Sequence, residues 1–223
     1  MVAADSLIFA LWGVPDPRDP AWVDELTGAG AREVILDVAD DDVAAAMLRL
    51  TTFETPVEAV LSLVAEPATA AAVSAVLAGR AERVAGWRVE TTAPLPPPTT
   101  PVGVRAPGLT NVAFLRRPAE LAYDEWLARW RGAHTEVAIA TQATFGYVQH
   151  RVLEPVTADA PEIAAVVEEL FPIEALHDPH AFYGSGGDPA ELGRRIEAMM
   201  ASVATFGADR DLDVVPTSRY RLC

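Results

Sequence analysis

The chain has 223 residues, half of them hydrophobic, which is enough for the interior of two small domains or one large one. A formal net charge of -15 argues against nucleic acid, whose phosphates need a basic face, and against an anionic membrane surface; the partner it leaves is a small neutral molecule or another protein. The single cysteine, Cys223, rules out an intrachain disulfide and a metal site built from cysteines of one chain, and no apolar run approaches the ~20 residues of a membrane span. The apolar run from Leu7 to Val14 has no basic residue before it and no small-residue cleavage site after it, so it does not read as a signal peptide and a cytoplasmic location is the default expectation.

In chain order, Leu7 to Trp12 reads as a buried strand closed by Gly13 and prolines. Asp19 caps a helix with Pro20 at its first position, running through Trp22 and Leu26 to Gly28 and Gly30. Strands follow at Glu33 to Val38 and Val57 to Ala65, separated by a helical turn within Asp40 to Leu50; a helix from Ala68 to Gly79 and a strand from Val84 to Thr92 complete a β-α-β-β-α-β unit. Between Leu95 and Pro101 four residues of seven are proline, and with Pro107-Gly108 this marks a linker.

The same order then returns. Leu109 to Arg117 reads as a strand, Ala119 to Thr141 as a long helix and Phe145 to Leu153 as a strand. Ile163 to Phe171 suits helix or strand by periodicity and is taken as a strand because the repeat needs one. Asp188, Pro189 and Glu191 mark a capping box before the apolar stripe Leu192, Ile196, Met199, Met200 and Val203, and Asp213 to Leu222 is the last strand. The expected fold is α+β: two tandem ferredoxin-like βαββαβ units, 1–94 and 109–223, joined by a Pro-rich linker at 95–108 and packed sheet to sheet as an intrachain pseudo-dimeric α/β barrel.

All four histidines, His134, His150, His177 and His180, fall in the second unit, while the first unit's helix offers only Asp24 and Glu25. This asymmetry makes the first half a structural partner and the second the place for chemistry. Trp126, Trp130 and His134 stand at i, i+4 and i+8 on one helix face, so His134 points inward, where an imidazole acts as acid, base or hydrogen-bond donor; a core histidine satisfied by a carbonyl is the alternative that spacing leaves open. Tyr147 is a candidate wall of the pocket, Glu169 a candidate partner for His134, and Phe182 and Tyr183 candidates for its mouth. Gln149 and Arg151 suit a polar network inside the barrel. His177 and His180 are placed near the same mouth, though His177-Asp-Pro-His180 lacks the third ligand of a metal site, so no metal is assigned.

The segments Phe114-Leu-Arg-Arg117, Glu125-Trp-Leu-Ala-Arg-Trp130-Arg-Gly-Ala-His134, Tyr147-Val-Gln-His-Arg-Val152 and Asp213-Val-Val-Pro-Thr-Ser-Arg-Tyr220 together resemble the EthD family of the dimeric α/β-barrel superfamily. The likeness covers Leu109 to Leu222; the first half resembles the family in element order alone. It implies a ferredoxin-like fold, sheet-to-sheet pairing and a pocket between helices and sheet near His134. It also implies a choice of activities: a cofactor-independent oxidoreductase or lyase acting on a small hydrophobic or aromatic, polyketide-like compound, or a non-catalytic accessory protein holding such a metabolite. Haem or metal binding through His134 is a further alternative, although the Gly-x-x-Asp-Gly motif of the haem-peroxidase branch is missing. No lysine occurs, which excludes a Schiff base, and no cofactor is expected. A homodimer of such chains is the assembly expected beyond the internal pair.

Overall fold

Three Asp-Pro pairs set helix starts. In the computed structural model, which describes residues 5–66 and 69–223, Asp19 accepts a hydrogen bond from Ala21 N–H ahead of helix α1 (Pro20–Gly28). Asp188 accepts from Ala190 and Glu191 N–H ahead of the 18-residue Pro189–Phe206 helix. At the third pair, Asp178 caps a single turn, Pro179–Tyr183, that ends at Gly184 in the left-handed region. In each, proline supplies a ready φ at a position whose N–H has no helical partner, and the aspartate satisfies a neighbouring orphan donor. Glu191 does not close the expected capping box, because its carboxylate is taken by Arg194 and Arg195 one turn on.

The strands are β1 (Asp5–Trp12), β2 (Ala31–Val38), β3 (Ala59–Ala65), β4 (Arg83–Leu95), β5 (Leu109–Leu115), β6 (Gly146–Pro155), β7 (Ala165–Phe171) and β8 (Asp213–Arg221). Helix α2 (Ala70–Ala78) lies in the first half, and Ala68, where it was expected to begin, lies outside the described residues. The second half carries α3 (Tyr123–Leu127), α4 (Thr135–Thr141), α5 (Pro179–Tyr183) and α6 (Pro189–Phe206).

Each half has the strand order of a ferredoxin-like unit, β4-β1-β3-β2 and β8-β5-β7-β6, and the two sheets join where β2 meets β8 and β4 meets β6. All eight strands close into one antiparallel barrel, so the halves share hydrogen-bonded edges as well as an interior. Part of the proline segment is pinned too: Gly103 and Ala106 donate to the carbonyls of Arg221 and Arg219 along β8. At its end Gly108 (φ 88°) brings the backbone so near Phe171 that an added Cβ would lie 2.0 Å from that carbonyl oxygen, leaving no room for another residue.

Strand alternation divides the side chains between barrel and helix layers. Inside, Ile8, Trp12, Trp87, Phe114, Val166 and Val215 fill one end. The other end is polar: Arg219 pairs with Asp37 at 3.0 Å and with Glu168, and His150 Nε2 meets Glu168 at 3.1 Å. Asp37 and Glu168 are fully buried. Burial works against both charges; in Glu168 the adjacent Arg219 and His150 outweigh it and hold the carboxyl well below its usual range, whereas Asp37 is pushed up to about 8. The interior network is therefore not the one expected. Tyr147, Gln149 and Arg151 have the opposite parity on β6 and face outward, where Gln149 donates to Thr135 Oγ1 at 2.9 Å and Arg151 pairs with Glu90.

Outside, α1 and α2 cover the first sheet through Trp22, Leu26, Val73 and Leu77. Arg80 ties the two helices by binding Asp19 and Glu25, which uses one of the two carboxylates of α1. The second sheet is covered by α3, α4 and α6, and between that sheet and α6 the packing is incomplete.

Candidate functional site

The helix carrying the Trp and His residues is not uniform. Between α3 and α4, residues Ala128–His134 form a π-helical segment, in which Thr135 Oγ1 reaches back to the Trp130 carbonyl. In an α-helix, residues four apart drift by about 40° round the axis, since a turn takes 3.6 residues. The wider π turn reduces that drift and keeps Trp126, Trp130 and His134 on one line; such segments occur frequently at functional sites. Trp126 and Trp130 stack with centroids 5.0 Å apart, and both are fully buried.

Beyond them lies a cavity of about 250 Å³. Its floor is the outer face of β5 to β8 (Ala113, Leu115, Tyr147, Val167, Glu169, Val214), and Trp130, His134, Met199 and Phe206 form the helical wall. Phe182 and Tyr183 of α5 close one side. Six of the residues singled out in the sequence thus meet in one space: Trp130, His134, Tyr147, Glu169, Phe182 and Tyr183. Trp126 stands behind Trp130 instead of lining the cavity. His177 is exposed, and His180 binds Ser185 Oγ at 2.6 Å; neither lines the cavity. Among the described residues no cluster of three or more His, Cys, Asp or Glu side chains is placed to hold a metal ion.

His134 is not satisfied by a carbonyl and does not pair with Glu169. Its Nδ1 meets Ser202 Oγ of α6 at 2.9 Å, its ring lies 4.7 Å from that of Phe206, and Nε2 has no partner among the described residues. Burial lowers its pKa to about 4, so near neutral pH the ring is uncharged and carries one proton. Glu169 is the opposite case: burial pushes its carboxyl up to about 7, and it makes no hydrogen bond or ion pair among the described residues. Tyr147, directly across the strand pair from it, and Tyr183 have their phenols raised, first by burial and then by the charge of Glu169.

Sequence reasoning missed a wall. Leu48 and Leu50, on the crossing segment after β2, reach over from the first half and line the cavity. This segment is held by Met47 N–H to the Leu176 carbonyl, by the paired bonds of Leu50 with Val214, and by Asp213. The Asp213 carboxylate accepts from Thr52 N–H (2.6 Å), Thr52 Oγ1 (2.5 Å), Phe53 N–H (3.0 Å) and Arg116 (2.7 Å). The first half is therefore part of the site as well as a structural partner. Asp213→Ala should detach the segment: a loss of about 1–3 kcal/mol by chemical denaturation is expected, from donors left without an acceptor. Binding of any cavity ligand should weaken in parallel, and unchanged stability would contradict the anchoring role.

No family model matches the chain, and no curated protein does. Solved structures do. One described as an anthrone oxidase-like protein has a TM-score of 0.59 at 10% identity, over 98% of this chain and 93% of that one. The chain has the dimeric α/β-barrel fold. A mutant chlorite dismutase from Candidatus Nitrospira defluvii in complex with cyanide follows at a TM-score of 0.49 and 11% identity, over 98% and 91% of the two chains. None of the described helices is long and apolar enough to cross a membrane.

The haem alternative fails on size. A cavity of ~150 Å³ takes one benzene ring, so four linked pyrrole rings need several times that volume. The space beside His134 measures about 250 Å³, which suits one or two fused rings, and no step is assigned to a haem.

Proposed function

We propose that this protein is a small-molecule enzyme, an oxidoreductase or lyase without a resident cofactor, acting on a compact hydrophobic or aromatic, polyketide-like compound. The observation that carries this reading is an apolar cavity of about 250 Å³ in which two polar side chains, His134 and Glu169, have hydrogen-bonding capacity that the protein leaves unused. A few convergent polar groups in an apolar enclosure are what orients a small ligand, and unpaired buried groups have a cost that a ligand offsets. The EthD-like residue pattern of the second half, and the fold shared with the anthrone oxidase-like protein, support the same class of compound.

His134 acts here as a neutral imidazole. In the tautomer in which Ser202 Oγ–H donates to Nδ1, the ring proton sits on Nε2 and is available to an oxygen of the bound molecule, and in that form His134 moves a proton or steadies an enolate. Bicyclic phenols and aryl ketones should raise the melting temperature and some should be turned over. Turnover is expected to fall at least about a hundredfold in His134→Ala, the scale of one positioned proton-transfer group. Turnover that survives the substitution removes this role, and binding without turnover across the set favours an accessory binding protein.

A further inference from the structure

Strand β7 carries two adjacent glutamates, and alternation sends them to opposite sides of the sheet. Glu168 enters the barrel and is saturated by Arg219 and His150. Glu169 lines the cavity on the other face with its carboxyl unpaired among the described residues. Around it the sheet is apolar, with Ala113, Leu115, Val167 and Val214, except for one row across three strands: Asn111 on β5, Glu169 on β7 and Tyr147 on β6 stand directly opposite one another. Asn111 is 1% exposed and its Oδ1 has no partner. Of this row Tyr147 has Gln149 as a partner and Asn111 lies outside the cavity lining, so Glu169 is the member whose carboxyl both faces the cavity and is unpaired among the described residues. An unpaired carboxyl on an apolar face is costly to the fold, and its location against a cavity ties that cost to a ligand.

Resting on the enzymatic reading of this cavity, we propose that Glu169 is a second catalytic residue, the base that takes a proton from a neutral carbon acid or phenol. His134 then stabilises the oxygen on which charge develops. In the step, the substrate C–H or O–H bond breaks, its electron pair stays on the substrate and spreads to an oxygen, and the proton bonds to a Glu169 carboxylate oxygen. His134 Nε2–H donates to the resulting enolate or phenolate. Nothing is oxidised or reduced.

Other groups suit the task less. The titratable side chains facing this cavity are Tyr147 on β6, Tyr183 on α5, His134 on the π segment and Asp209 after α6. Both phenols are shifted upward and keep their protons. His134, near 4, is a weak base, and Asp209 is exposed at the mouth. A carboxyl near 7 gives the best compromise between being ionised and holding the proton it takes.

The test is α-proton exchange of 2-tetralone, a bicyclic ketone with acidic benzylic α-protons, in deuterium oxide, followed by proton NMR for wild type, Glu169→Gln, Glu169→Asp and His134→Gln. Wild type should accelerate exchange over buffer, with a rate that rises through about pH 7. Glu169→Gln should lose about a hundredfold or more. Glu169→Asp should retain part of the rate, and His134→Gln should slow exchange while keeping the pH profile. Exchange that survives Glu169→Gln, or keeps its pH profile there, overturns the role of Glu169 alone. Absence of exchange in wild type, with 2-naphthol bound, overturns the enzymatic reading itself. Folding is checked by melting: above pH 7 Glu169→Gln should be at least as stable as wild type, because ionising the buried carboxyl no longer opposes folding. Should it not fold, Glu169→Asp carries the comparison, and wild-type rates there overturn the proposal.

Discussion

Arg219→Met should lower the melting temperature by roughly 6–20 °C, from a loss of about 3–5 kcal/mol at about 2–4 °C per kcal/mol for a chain of this size. Arg219 stands between Asp37 and Glu168, both fully buried, and is the cation they share. Removing it leaves the Glu168 carboxylate in the barrel with His150 as its remaining partner, and takes a hydrogen-bond donor from the Asp37 carboxyl, which below about pH 8 is protonated. The methionine has nearly the same volume, so the loss measures charge and not packing. Adding Asp37→Asn and Glu168→Gln to Arg219→Met should restore most of the stability, because neutral amides need no counter-charge. The same cluster fixes a pH dependence. Asp37, raised from 3.8 to about 8, keeps a proton in the folded chain that the unfolded chain has released over this interval, so rising pH favours unfolding. Asp37→Asn should remove this part of the slope between pH 5 and 8, and identical slopes in the two proteins would contradict the assignment.

Trp130→Ala should have a comparable effect, about 3–5 kcal/mol, the cost of truncating a fully buried aromatic side chain. The indole packs on Trp126 and forms a wall of the cavity, so its removal both unstacks the pair and joins new empty space to the existing one. Trp130→Phe should cost much less: the indole N–H has no hydrogen-bond partner to lose, and a ring remains against Trp126. Equal losses in the two variants, read by denaturant titration, would show that the indole contributes something other than packing. For a bound ligand, Trp130→Ala should reduce selectivity for one or two rings over larger compounds.

These expectations depend on features of unequal visibility in the sequence. The repeat of strands and helices was legible because Asp-Pro and Gly mark the helix ends and apolar runs mark the strands; even the ambiguous Ile163 to Phe171 segment resolved once the first unit supplied the order, and β7 occupies Ala165–Phe171. Asp178-Pro179 carried the same signal as Asp19-Pro20 and Asp188-Pro189, and one turn of helix there was legible in principle. The side of each strand was not. Alternation states that Glu168 and Glu169, or Tyr147 and His150, point apart in pairs; which of them enters the barrel depends on the closure of β2 on β8 and β4 on β6, a long-range matter. For that reason Gln149 and Arg151 were assigned to the interior that His150 and Glu168 occupy. The lining by Leu48 and Leu50 was equally hidden, because the segment is positioned by Asp213, about 160 residues away. The π segment leaves the i, i+4 pattern intact and so gives no periodic sign of itself.

The site reading is tested most directly by a crystal structure of the protein with 2-naphthol. Density for the two rings is expected between α6 and the outer face of β5 to β8, against Trp130 and Phe206, with the hydroxyl within hydrogen-bond distance of Glu169 or of His134 Nε2. A ligand seated elsewhere, or a cavity that stays empty in protein saturated with the compound, would contradict it.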